Sequence, residues 1–191
     1  MHDSSIHYKI LNFKYLPTSI RKLSLIFMNW TFQGILYADK TEKAFRVTVD
    51  IILTMFFASL IPISNNYIDL FVSFLISHSL NWIFNGQLFV LAKNVTKISN
   101  NPQKIISYAN KLKERSAKEK SINCMLLYGS LVRGEINPTS DLDVRIIRKP
   151  GILNGLRACI FGFKERSRAL FHQFPLDMYV VDSPKHLLKM R

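Results

Sequence analysis

Residues 129–145 read Gly-Ser-Leu-Val-Arg-Gly-Glu-Ile-Asn-Pro-Thr-Ser-Asp-Leu-Asp-Val-Arg, and no other part of the chain says as much about its chemistry. An apolar run, 124–128, enters the Gly129-Ser130 turn. Two carboxylates, Asp141 and Asp143, follow with one apolar residue between them, and a second apolar run, 144–147, is broken only by Arg145. Side chains on a strand alternate with period two, so Asp141 and Asp143 fall on one face. Carboxylates that close repel, and a divalent cation removes the repulsion. Mg²⁺ is held by one or two carboxylates together with substrate phosphates. A Gly-Ser turn opening a helix offers backbone N–H groups and a hydroxyl to phosphate oxygens. The stretch therefore points to a metal site beside a phosphate cradle.

Gly129-Ser130, Arg133-Gly134 and Ser140-Asp141-Leu142-Asp143 resemble the signature of the polymerase-beta-like nucleotidyltransferase superfamily, and in particular its minimal, antitoxin-type members. The resemblance covers roughly residues 100–183. It implies an α/β (α+β) nucleotidyltransferase domain with a short mixed sheet, an NTP substrate and two Mg²⁺ ions. It implies that Asp141 and Asp143 bind metal and that a third carboxylate on a later strand joins them. The matching position is Asp177, in Phe-Pro-Leu-Asp-Met-Tyr-Val-Val-Asp. Gly129, Ser130, Arg133 and Ser140 are the implied nucleotide-binding residues. Asp182 competes with Asp177 for the third place. The two are an odd number of positions apart, so a regular strand points them to opposite faces. Alternation alone leaves the choice open, and the resemblance favours Asp177.

The chain has 191 residues, enough for one or two domains, and is 48 % apolar with 26 Lys+Arg against 13 Asp+Glu. A net charge of +13 fits nucleotide phosphates, nucleic acid or an anionic membrane face. Cys124 and Cys159 lie far apart without metal-ligand spacing and read as reduced core residues. The first nine residues lack the apolar run of a signal peptide.

Residues 70–92 carry no formal charge, and these 23 residues are long enough for a ~30 Å hydrocarbon core. Tyr67 and Lys93 bound the run. Residues 51–63 are also apolar, with Arg46 and Asp50 just before them, four apart and able to pair. Ser64-Asn65-Asn66 makes a turn. These features predict a membrane region over 1–94, with transmembrane helices at about 43–63 and 67–92 forming a hairpin. Residues 18–38 are expected as an in-plane or re-entrant interfacial helix, because Lys22, Asn29 and Gln33 share a narrow polar face. Lys and Arg cluster on both sides of the hairpin and are absent from its turn, which predicts a multi-pass protein with both termini cytoplasmic. His78, Asn81, Trp82 and Asn85 form a polar stripe on the second helix. It reads as glue inside the hairpin or a homo-oligomer, or as a contact to lipid head groups or a membrane-protein partner.

The remaining region, 99–191, is the expected catalytic domain. It reads as a helix over 99–120 capped by Ser99 or Asn100, a strand 123–128, a helix start 130–133, a strand 142–147, a helix 152–172 and a strand 176–181. Ten residues follow Val181, so no added domain for a primer is expected, and no aromatic RNA-binding motif appears. A nucleic-acid acceptor is therefore not expected; a small, lipid-linked or protein acceptor is. Three functions are consistent with these features: a membrane-anchored nucleotidyltransferase, a catalytically weak nucleotide-binding subunit of a membrane enzyme, and an antitoxin-like enzyme modifying a partner protein.

Overall fold

The computed structural model describes residues 17–61, 66–86, 101–137 and 140–187. Helices α1 (Thr18–Phe32), α2 (Lys40–Leu60) and α3 (Asn66–Phe84) come first. Then follow α4 (Pro102–Lys118), β1 (Ile122–Tyr128), α5 (Ser130–Arg133), β2 (Leu142–Arg148), α6 (Ile152–Phe171), β3 (Leu176–Val181) and α7 (Pro184–Leu187). The fold is α+β with a small mixed sheet in the order β1-β2-β3. β1 runs antiparallel to β2, and β2 runs parallel to β3 through the α6 crossover.

Alternation sorts the central strand. Leu142, Val144 and Ile146 of β2 face the core with Leu176 and Met178 of β3, against Ile105, Ala109 and Leu112 of α4. Val180 continues this face under Ala158 and Cys159 of α6. α4 begins at Pro102 because Asn101 caps it, accepting from the Gln103 N–H at 2.9 Å. The expected caps, Ser99 and Asn100, lie outside the described residues. The opposite sheet face carries Asp143, Arg145, Asp177 and Tyr179.

Strand β3 is an edge strand, and its free edge is sealed by side chains. Glu42 on α2 accepts the Val180 N–H at 2.6 Å, and Arg166 on α6 donates to the Met178 carbonyl at 2.9 Å. The same Glu42 accepts from Arg166 at 2.8 Å and from Arg46 at 2.6 Å. Glu42 and Arg46 are both 0 % exposed. Carboxylate and guanidinium groups thus replace a fourth strand, which removes the edge as a pairing template. Arg46 was expected to pair with Asp50 and instead pairs with Glu42. A Glu four residues N-terminal to an Arg is the favoured orientation, since it follows the helix dipole. Asp50 turns to α3, accepting from Asn81 at 2.8 Å and meeting His78 Nδ1 at 2.9 Å.

The polar faces of α1, α2 and α3 meet each other. Trp82 donates to Asn29 at 2.7 Å, and Gln33 donates to the His78 carbonyl at 2.8 Å. Asn29 and Gln33 are therefore buried against α3 and do not form a head-group-facing stripe. Pairing with the His78–Asn85 stripe satisfies groups that neither helix could satisfy alone. The outward surfaces are apolar: Leu23 and Phe27 on α1, Ile52 and Met55 on α2, Leu70 and Phe71 on α3 are each more than half exposed. α3 was expected to run to 92 but ends at Phe84, where Gly86 takes a positive φ of 75° and its N–H bonds Ile83 at 3.0 Å. The expected stretch beyond 86 lies outside the described residues. Among the described residues one helix, over Tyr67–Phe84, is long and apolar enough to cross a membrane.

Candidate functional site: a carboxylate face on the sheet

The two strands that carry the acids place them together. Asp143 on β2 and Asp177 on β3 are register partners in a parallel pair, so their side chains leave the same face from backbones about 4.8 Å apart. Asp141 precedes β2 by one residue and reaches the same end of the sheet. Tyr128, the last residue of β1, is paired with Asp143, so the turn that follows it begins beside that carboxylate. Gly129 closes the approach. Its φ of 74° and ψ of −152° lie in a region that only glycine occupies comfortably. A Cβ built there would sit 2.1 Å from Asp143 Oδ2. The glycine is thus required twice, by its backbone and by the carboxylate against it.

The other expected site residues take distinct places. Ser130 begins α5, and its carbonyl accepts the Glu135 N–H at 2.9 Å, which folds the loop back on itself. Arg133 is exposed and bridges Glu135 at 2.7 Å. Ser140 is buried, and its hydroxyl oxygen accepts the Asn137 N–H at 3.0 Å, pinning the loop one residue before Asp141. Asp182 is drawn away from the acids. It accepts from Arg148 at 2.6 Å and from the Thr41 N–H at 3.2 Å, joining α2 to the sheet. Burial would raise its carboxyl, but the bonds from Thr41 and Arg148 hold it below the ordinary range.

Two residues on this face were not singled out in the sequence. Arg145 donates to the Asp177 carboxylate at 3.3 Å and to its backbone carbonyl at 3.2 Å. Burial, the largest single influence, would lower the Arg145 guanidinium, but the charge of Asp177 together with Tyr179, Asp143 and the bond to Asp177 outweighs it, so its affinity for its proton rises. Tyr179 lies under it, with the Arg145 guanidinium carbon 4.8 Å and that of Arg46 5.5 Å from the ring centroid. Burial, then the Asp177 charge, pushes the Tyr179 hydroxyl up, so it stays protonated. The signal for both was alternation: Arg145 and Tyr179 each stand two positions after an acid. Cys159 is buried and its thiol is pushed up to about 12, first by burial and then by Glu42, which leaves it an inert core residue.

Among the described residues no group of three or more His, Cys, Asp or Glu is gathered closely enough to hold a metal ion. The donor chemistry nonetheless suits Mg²⁺: carboxylates in register, with an open glycine backbone against one of them. The fold and this face define an α+β domain that presents acids and a glycine turn at one sheet end. No protein-family model, curated protein or solved structure matches this chain.

Proposed function

We propose that the chain is a membrane-anchored, Mg²⁺-dependent nucleotidyltransferase. It moves an NMP from an NTP to a small, lipid-linked or protein acceptor at the cytoplasmic membrane face. The observation that carries this reading is the parallel register of Asp143 with Asp177, closed by the Gly129 backbone. Asp141, Asp143 and Asp177, not gathered closely enough to cage an ion by themselves, would hold the Mg²⁺ jointly with the NTP phosphates, and the ion would offset triphosphate charge and acidify the acceptor hydroxyl. The turn at Gly129 and the Ser130 hydroxyl hold the terminal phosphates. Arg133 is tied to the solvent-exposed Glu135, an ion pair weak enough for Arg133 to turn toward them. The acceptor oxygen bonds the α-phosphorus, the bond to pyrophosphate breaks, and the released proton passes to Asp177. Arg145 orients Asp177 for this by a charge-assisted bond.

The membrane part of the reading rests on an inverted pattern. The first three helices bury Asn29, Gln33, Asp50, His78 and Asn81 and expose Leu, Ile and Phe, the reverse of a helix bundle in water. From Arg46, held at the sheet, α2 extends fourteen residues to Leu60, or about 21 Å. That length fits insertion from one face better than a complete crossing of a ~30 Å core. The clustering of Lys and Arg on both sides of the hairpin supports placing both chain ends on the side where NTP is found.

A second reading is a catalytically weak, nucleotide-binding subunit of a membrane enzyme. The Arg145–Asp177 pair favours it, because a cation already occupies the third carboxylate. Detergent-purified protein incubated with Mg²⁺ and each NTP separates the two. Pyrophosphate release that vanishes in Asp143→Asn supports the transferase. Binding without release supports the subunit, and binding unaffected by Asp141→Asn with Asp143→Asn overturns the site.

A further inference from the structure

Helix α6 crosses the base of the α2–α3 pair. Near its start, a Cβ built on Gly155 would stand 2.9 Å from the Thr41 methyl, in the first turn of α2. Near its end, the Ser167 hydroxyl donates to the carbonyl of Phe84, the last residue of α3, at 3.3 Å. The Phe84 ring centroid lies 6.4 Å from those of Phe163 and Phe171. The helix between Gly155 and Ser167 is about 18 Å long. Thr41 and Phe84 mark the ends of α2 and α3 remote from their connection. Where the apolar surfaces of α2 and α3 enter a bilayer, a helix laid across these two ends runs along the membrane plane.

The outward side of α6 is divided as such a position demands. Gly155, Ala158, Gly162 and Ala169 are buried and face inward. At 3.6 residues per turn, Ile152, Leu153, Leu156, Ile160 and Phe171 share an exposed apolar stripe about 100° wide. Arg157, Lys164 and Arg168, all exposed, line its margin. The single acid of the helix, Glu165, is buried. Two of the cations have acid partners: Arg168 bonds Glu165, which Arg115 also holds, and Arg157 meets Glu119 at 3.4 Å. Those acids lie beneath: their side chains are 2 % and 21 % exposed, against 44 % for Arg168 and 57 % for Arg157. Pairs so exposed are weak, and a guanidinium has five N–H donors, so each arginine can also meet an outer anion. Lys164 has no acid partner among the described residues. The neighbouring α4 exposes Lys111, Lys113 and Lys118 against Glu114.

The two strips together select the occupant. A nucleic acid would use the cations and leave the apolar stripe uncovered. A second copy of this face would bring cation against cation. An anionic phospholipid surface satisfies both, taking apolar side chains into the acyl boundary and cations at its phosphates. α6 also packs on the sheet face opposite Asp143 and Asp177, because Val180 lies under Ala158 and Cys159. Contact through α6 therefore leaves the carboxylate face open to water.

We propose that α6 is an in-plane helix that seats the domain on anionic phospholipid beside the point where α2 and α3 insert. The assignment rests on the membrane half of the proposed function and not on the transferase chemistry. The test uses the full chain with Cys124→Ala, in nanodiscs of phosphatidylcholine with or without phosphatidylglycerol. A fluorophore is attached at Leu153→Cys on α6, at Phe71→Cys on α3 or at Lys113→Cys on α4, and lipid with a spin label in its acyl chain is the quencher. Quenching is expected at Phe71 and Leu153 and not at Lys113, and at Leu153 it should be several-fold stronger with phosphatidylglycerol. Arg157→Gln with Lys164→Gln, or added salt, should remove that excess and leave Phe71 quenching and the melting temperature unchanged. Lys164→Gln alone breaks no ion pair and should remove part of it. Quenching at Phe71 without quenching at Leu153 would overturn the in-plane seat and leave the membrane reading standing. Quenching at neither would overturn both. Equal quenching at Leu153 in the two lipids would overturn the anionic assignment. A Leu153 label shielded from lipid and from aqueous iodide alike would mean that a protein, a second copy included, covers the face, and would overturn the seat.

Discussion

Replacing Gly129 with alanine tests the site through two separable effects. The first is backbone strain: φ 74° with ψ −152° is a conformation that costs an L residue about 1–3 kcal/mol. The second is steric. The new methyl would stand 2.1 Å from Asp143 Oδ2, so the carboxylate must leave its position. Gly134 supplies the control. It also has a positive φ, 71°, but a Cβ there meets nothing within 4 Å. Gly134→Ala is therefore expected to cost about 1–2 kcal/mol of stability and nothing else. Gly129→Ala is expected to cost a similar amount and, in addition, to lower Mg²⁺-dependent NTP affinity at least tenfold, because the displaced carboxylate no longer stands in register with Asp177. Calorimetric titration with Mg²⁺-NTP, alongside urea unfolding in detergent, reads both effects. Equal NTP affinity in the two variants would refute the placement of Asp143 in the binding site.

Other perturbations address the frame around the site. Glu42→Gln leaves Arg46 and Arg166 buried without their counter-charge, and two N–H atoms of Arg166 already lack a partner among the described residues; a loss of about 3–5 kcal/mol in urea unfolding is expected, and a loss under 1 would refute the sealed edge. Asp182→Asn should be pH-dependent: the carboxyl is held low in the folded state, so its stabilisation is present above the unfolded value of ~3.9 and fades as pH falls through the folded one. Variant and native chains should thus differ most at neutral pH and converge in acid, and a constant difference would exclude the charge as the cause. Asn81→Leu with Asn85→Leu removes bonds to Asp50 and to the Arg46 carbonyl, and should lower the melting temperature in detergent without selectively releasing a copurifying partner. A cysteine at Asn65, in a chain lacking Cys124 and Cys159, reports depth: labelling from the far side marks a full crossing, and protection from both aqueous sides marks insertion from one face.

The sheet was legible because each strand is an apolar run bounded by turn residues, and β3 was located to the residue. The meeting of Asp143 with Asp177 depends on the register of β2 against β3, which alternation along a single strand does not give. What the sequence withheld was which faces meet. A helical wheel puts Asn29 and Gln33 on one side of α1, but water, head groups and a second polar stripe all suit that side equally. The choice of Glu42 over Asp50 as partner of Arg46 needed the edge of β3, more than a hundred residues away. Gly86 is a helix stop that the apolar run masks by continuing past it.

The Glu42 bonds to Val180 and Arg166 span 138 and 124 positions. At a synthesis rate of ~5–20 residues per second, roughly 7–28 s pass between the emergence of Glu42 and that of Val180. During that interval the first helices exist without the sheet that will complete them. Arg46 is already present four residues away, so the nascent helix carries a neutral pair and not a bare acid. Arg46 serves as a placeholder until Arg166 and the strand arrive. The order of residues along the chain is therefore also an order of assembly, in which the greasy helices come to rest first and the carboxylate face is closed last.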